Sequence, residues 1–263
     1  MQGGILLGGY FYNMNLGVLF GSALVFLFLV CLCGLALGRK YAKKCPAQAG
    51  DVSDFVPSTI LGLLSLIMGF TFSMAITRFD HRKELVLKES NAIGTVLLRS
   101  ALLNSDSSQR ARSLLRQYVD ARLAFFGAGS DFTRIEEIEE GTRTLHDKLW
   151  ELVVQTTQSE RSAVQGLFVS AVNDVIDLQA ERLIALRNTV PEVVYWVILL
   201  LASIGLSSRY FAMGMRGKGS HAGAALLAIL FALVFALIHD LDRPRAGITT
   251  VSQEAMLSLR RSL

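Results

Sequence analysis

Four stretches of this chain carry no charged side chain: residues 16–38, 56–77, 193–208 and 222–238. An unpaired charge in hydrocarbon costs several kcal/mol, so long charge-free runs mark bilayer segments. A membrane-spanning helix needs roughly 20 apolar residues. The first two runs satisfy this, and the fourth is at the lower limit. The third is short, but Glu192 and Arg209 flank it and can reach the interface. Charged residues make up 18% of the chain, against about 25% in a soluble domain, and they crowd between these runs. Residues 1–15 hold no charge and the first run ends in Arg39-Lys40, so it reads as a retained span rather than a cleaved signal peptide.

The fold class that follows is all-α. It is a polytopic membrane protein with four transmembrane helices, two of which extend into a helical soluble bundle. The divisions are 1–77 (an interfacial segment and helices 1–2), 78–190 (the soluble helical domain), 191–240 (helices 3–4) and 241–263 (the tail). Segment 78–190 contains no proline, and its apolar residues recur at helical spacing. The second span continues without a breaker to about residue 103. Asn104-Ser105-Asp106-Ser107 reads as a turn and cap. Helices are then predicted over 108–126, closed by Gly127-Ala128-Gly129-Ser130, over 131–157, and from 161 to the third span. On the last, Val164, Phe168, Ala171, Val175 and Leu178 form a packing seam. Pro191 is expected to kink it or to start a new helix.

Lys and Arg in short loops set orientation. Loop 39–56 has net charge +2, from Arg39, Lys40, Lys43 and Lys44 against Asp51 and Asp54; loop 208–221 has +3. Both read as cytoplasmic. Segment 78–190 holds 15 basic and 16 acidic residues and is free to lie on either side. The N-terminus, soluble domain and C-terminus are therefore predicted to be extracytoplasmic. Cys31, Cys33 and Cys45 fall in the first span and its following loop, which implies no disulfide framework. Tyr10, Phe11 and Tyr12 before the first span, and Tyr195 and Trp196 in the third, suit a headgroup level.

Three features are candidates for function. The second span bears small and hydroxylated residues, Ser58, Gly62, Ser65, Gly69 and Ser73, on one helix face. That pattern serves close helix packing, or lines a polar pathway with Phe70 and Phe72 as an apolar constriction. Beyond it come Arg78, Asp80, Arg82, Glu84, Glu89 and Arg99. Like charges at i,i+4 repel, so these groups call for partners elsewhere. Asp240 and Asp242, beside Arg243, are the expected ones for Arg78, Arg82 or Arg99, as ion pairs or as an ion vestibule. The run Glu136-Glu137-Ile138-Glu139-Glu140 lacks the spacing of a calcium loop and reads as a solvated face. No phosphate-binding loop, metal-spaced Cys/His set or nucleophile motif is present, so neither an enzyme nor a cofactor is expected. The net charge of +4 is accounted for by the loops and tail without nucleic acid.

Three blocks carry a family resemblance. They are ILGLLSLIMGFTFSMA at 60–75, ESNAIG at 89–94 with Leu98-Arg99, and LDRP at 241–244 followed by Gly247. With the Tyr118/Arg122 and Trp150 regions between them, the chain resembles the bestrophin-like family of bacterial and plant membrane proteins over most of residues 55–255. That family is distantly similar to bestrophins, which are pentameric anion channels whose second membrane helix lines the pore and bears an apolar neck. The resemblance implies a homo-oligomer, a pentamer by analogy, in the bacterial inner membrane, passing small inorganic ions. It puts the neck at 69–73. Two features depart from bestrophins: their soluble domain is cytosolic, and their acidic calcium clasp has no counterpart in the basic tail here. Calcium gating is not implied. The other reading is a non-conducting membrane scaffold or sensor whose soluble domain binds a partner.

Overall fold

The structure, a computed structural model, describes residues 14–46, 53–129, 131–159, 162–245 and 247–263, with no strand among them. Eight helices follow in order: α1 (Leu16–Lys44), α2 (Phe55–Ser100), α3 (Ser105–Gly127), α4 (Phe132–Ser159), α5 (Ala163–Arg187), α6 (Glu192–Met215), α7 (His221–Asp242) and α8 (Glu254–Ser262). Tyr10, Phe11 and Tyr12 lie outside the described residues. Among the described residues, four helical stretches are long and apolar enough to cross a membrane, in α1, α2, α6 and α7. The chain is a multi-pass membrane protein. Its helices divide into two compact units, with α2 contributing its first part to one and its second part to the other.

The apolar unit comprises the described residues up to Thr77 together with Thr189–Arg243. Asn15 caps α1 by accepting from the Gly17 N–H (2.9 Å), and Lys43 and Lys44 sit in its last turn, where cations suit the helix dipole. α1 packs along α6 and α7. Its contact with α6 depends on glycine: a Cβ on Gly34 would collide with the Ser207 carbonyl, one on Gly38 with the Phe211 carbonyl, and one on Gly214 with the Leu35 carbonyl. Gly34 and Gly38 are one helical turn apart, the spacing that lets two membrane helices bring their backbones together. Pro57 lies in the first turn of α2, where a missing N–H costs nothing.

Pro191 starts a new helix rather than bending an old one. α5 ends at Arg187, and α6 begins at Glu192 after Pro191 (φ −57°, ψ 136°). Four residues, 188–191, separate the two helices, the new start at Pro191 being one of the two outcomes expected of it. The Asp242 carboxylate accepts the freed Val190 N–H with both oxygens (2.9 and 3.1 Å).

The charged unit comprises Arg78–Asn188 and Pro244–Leu263. In α2 the inward positions 82, 86, 89, 93, 96 and 100 repeat at alternating spacings of four and three. The apolar ones among them meet Leu115, Tyr118 and Val119 of α3, Leu149, Leu152 and Val153 of α4, and Phe168, Ala171 and Val175 of α5 in one core. Phe168, Ala171 and Val175 belong to the predicted α5 seam. Asn104 caps α3 through the Ser107 N–H (2.8 Å), and Gly129, at φ +54°, follows its end. The tail is not merely a tail. α8 inserts Met256 into the core beside Val251, Ser90 Oγ donates to the Ala255 carbonyl (3.1 Å) and Arg260 pairs with Asp120 (2.5 Å).

Candidate functional site

The membrane half of α2 presents a wide exposed band. Ser58, Gly62, Ser65, Gly69 and Ser73 are all exposed, and a Cβ on Gly62 or Gly69 would meet nothing within 4 Å. Leu63, Leu66 and Phe70 widen the band, Phe70 with 68% of its surface open. The Ser65 hydroxyl needs no second helix, because it donates to the Leu61 carbonyl, and beyond the stripe Thr77 donates likewise to the Ser73 carbonyl (2.9 Å each). Such back-bonding satisfies a hydroxyl within its own helix. Phe70 and Phe72 are two residues apart, which in a helix sets them on different faces. Phe70 points outward, while Phe72 lines an apolar groove of about 520 Å³ with Ser65, Met68 and Gly69 of α2 and Leu230 and Phe231 of α7. Among the described residues of the chain, close glycine packing occurs where α1 crosses α6 and not at Gly62 or Gly69.

In the charged unit α2 delivers Glu89 to the centre of a polar network. Its side chain is fully buried, and Oε1 accepts the Tyr118 hydroxyl (2.5 Å) and lies 3.1 Å from Arg122 Nε; Oε2 pairs with Arg182. Arg122 reaches on to Glu139 (3.4 Å), whose other oxygen accepts from Gln179 (3.1 Å). Two arginines thus face two carboxylates, each 95% or more buried. Burial, the largest single influence, pushes the Glu89 carboxyl up, but Arg122, Arg182 and the Tyr118 hydroxyl together outweigh it and hold it below the ordinary range. Burial and the Glu89 charge drive the Tyr118 hydroxyl well up. The His146 ring lies 5.2 Å from that of Tyr118, and burial followed by the Arg122 charge pushes its imidazole down. Arg122 Nη2 and His146 Nε2 are buried without a hydrogen-bond partner among the described residues. Phe125 receives the guanidinium groups of Arg122 and Arg245, each 4.9 Å from its centre.

The other sequence candidates are placed as follows. Arg82 donates to the Ala185 and Asn188 carbonyls (3.0 and 2.9 Å) at the end of α5, where acceptors are left over. Arg99 donates to the Leu167 carbonyl (2.6 Å) rather than to an aspartate. Arg78 is half-buried, and its Nη1 has no hydrogen-bond partner among the described residues. Glu84 pairs with Lys88 one turn on (2.9 Å). In the apolar unit Asp240 and Asp242 are buried, and Arg243 donates to the Met14 carbonyl (2.5 Å) with His239 3.5 Å away. In the acidic run Glu136, Glu137 and Glu140 are exposed, whereas Glu139 turns into the core.

Over residues 24–256 the sequence matches the Bestrophin-like domain. The chain belongs to the Bestrophin-like family. Solved structures agree on the fold of this Bestrophin-like protein. Two single-substitution variants of a bacterial bestrophin homologue from Klebsiella pneumoniae superpose with TM-scores of 0.67 and 0.68 at 14% identity, covering 92% of this chain and 96% of theirs. A structure described as a membrane protein matches with TM-score 0.66 at 14% identity, covering 91% and 95%. A search of curated proteins finds no match.

Sequence reasoning reaches Glu89 as a charge in need of a partner, and Tyr118 and Arg122 only through the family resemblance. It does not join them. Tyr118 and Arg122 sit four apart on α3, Gln179 and Arg182 three apart on α5, and Glu139 inside an acidic run. A charged residue that continues an apolar helical seam is the available signal: Arg182 follows Phe168, Ala171 and Val175 at seam spacing.

Proposed function

We propose that this protein is a homo-oligomeric ion channel, anion-conducting, in which the exposed band of α2 lines the pore. The observation that carries the reading is that a hydroxyl- and glycine-bearing face of a membrane helix is left uncovered within the protomer, with no clash even for an added Cβ at Gly62 or Gly69. Such a face is suited to water and ions at the axis of a ring of copies, five by analogy with bestrophins. Phe70, exposed one residue after Gly69, supplies the apolar constriction, and constrictions of this kind gate by dewetting. Family membership and the bestrophin fold support the same reading, and they favour a channel over an enzyme.

The test is reconstitution in planar bilayers in salts of different anion and cation size. The expected result is current whose reversal potential follows the anion gradient and whose size changes in Phe70→Ala. Silence under all salts and voltages, or current indifferent to Phe70→Ala and Ser65→Leu, overturns the reading. In the topology that goes with it, the basic loops are cytoplasmic and the charged unit is extracytoplasmic, in the inner membrane. A Thr144→Cys variant in a cysteine-free background is then labelled in intact cells by an impermeant maleimide. Labelling only after permeabilisation inverts the topology.

A further inference from the structure

We propose that the loop end of the apolar unit is a docking surface for the headgroups of anionic phospholipids, with Lys40, Lys43, Lys44 and Lys218 as the contacting cations. This inference does not depend on whether the protein conducts.

The surface follows from the topology of the unit. The end of α1, the start of α2 and the link from α6 to α7 meet there: Gly38 lies against the Phe211 carbonyl, Arg39 donates to the Gly219 carbonyl (3.2 Å), and Asp54 holds both Arg209 and Arg216 (2.7 Å each). Seven basic residues lie in 39–44 and 209–218. Asp54 is the one acid described there, and its two oxygens are taken by Arg209 and Arg216. The four lysines are exposed and have no ion-pair partner among the described residues.

Their direction selects the occupant. Positions 40, 43 and 44 share one face of α1, opposite the face that buries Cys31, Gly34, Leu35 and Gly38. The lysines therefore point away from the helix packing, toward the surrounding lipid. Residues 16–38 of α1 span roughly 35 Å at about 1.5 Å per residue, enough to cross a hydrocarbon core about 30 Å thick. Lys40–Lys44 then lie a few ångströms beyond it, at the depth of the phosphates. Tyr41, packed on Phe211 with ring centres 6.0 Å apart, suits the same level. Clusters of Lys and Arg next to a membrane helix attract anionic headgroups, an attraction that fades within a Debye length.

The test uses the full-length protein in nanodiscs of phosphatidylcholine alone or with phosphatidylglycerol and cardiolipin. Thermal unfolding and native mass spectrometry of retained lipid are the two readouts. The expected result is a higher midpoint in the anionic discs, reduced by added salt, and at least about tenfold less anionic lipid retained by Lys40→Gln/Lys43→Gln/Lys44→Gln/Lys218→Gln. Lys148→Gln, a charge change in the other unit, leaves retention unchanged. If the quadruple variant does not fold, the single variant Lys43→Gln is read for partial loss of retained lipid. Equal midpoints in the two lipids, or undiminished retention in the variants, overturns the proposal. So does an equal midpoint rise from free inorganic phosphate in neutral discs, which would mean a soluble-anion site.

Discussion

Tyr118 donates a 2.5 Å hydrogen bond to Glu89 where neither side chain has any exposed surface. The hydroxyl supplies the carboxylate with a neutral donor in addition to the two guanidinium groups that balance its charge. The roles of the two residues separate on mutation. Tyr118→Phe removes one donor while Arg122 and Arg182 remain, and is expected to destabilise the protein by about 1–3 kcal/mol. Glu89→Gln leaves buried Arg182 without its carboxylate and Arg122 with Glu139 alone, and is expected to cost about 3–5 kcal/mol. Thermal or denaturant unfolding of the purified protein ranks them; a Glu89→Gln cost no greater than that of Tyr118→Phe would contradict the network.

The pH response follows from the same cluster. Burial and the Arg122 charge hold the His146 imidazole below its ordinary value, so the folded chain favours neutral His146. Below about pH 6.5 the unfolded chain takes up a proton that the folded chain resists. Stability from this group is therefore full above the unfolded value and is lost as pH falls toward the folded one. The Glu89 carboxyl is also held down, and its contribution is present above the ordinary glutamate value and lost at more acid pH. Unfolding midpoints are expected to decline as pH falls from about 7.5 to about 5, across the ordinary histidine range, and His146→Gln to flatten that decline. An unchanged slope in the variant assigns the acid sensitivity elsewhere.

Two pairs of glycines predict opposite outcomes. Gly34 and Gly38 lie against α6 backbone that cannot yield, so Gly38→Val is expected to abolish a folded, extractable protein. Gly62 and Gly69 face open space within the chain, so Gly62→Ala leaves folding intact and, under the pore reading, changes conductance. Expression and size-exclusion profiles measure the first, bilayer currents the second. A well-folded Gly38→Val would remove the close crossing from the account.

The elements legible in the sequence are those whose signal is one-dimensional. Charge-free runs mark the spans, and Asn104 and Pro191 mark helix boundaries, because each acts through its own backbone. What is not legible depends on contacts distant in sequence. Glu139 looks like its exposed neighbours Glu137 and Glu140, and only the approach of α3 shows that it turns inward toward Arg122. The Gly34/Gly38 spacing is visible, but the α2 stripe draws the packing reading because it is longer and carries hydroxyls. α8 is nine residues long with three charged side chains, too short for a periodic pattern to stand out.

That helix supports a last prediction, since its two anchors differ in kind. Met256 is fully buried in the core of the charged unit, while Arg260 and Asp120 form a half-exposed pair with 50% and 43% of their side chains open. Removing a buried methionine costs the transfer of its atoms plus the cavity left behind, about 2–5 kcal/mol. An exposed ion pair contributes about 0–1 kcal/mol because water and salt screen it. Met256→Ala is therefore expected to loosen the tail and expose Ser90 and Val251, seen as faster amide exchange across α8 and a lower unfolding midpoint. Arg260→Ala should change neither appreciably, and the reverse order would mean that charge, not burial, holds the tail in place.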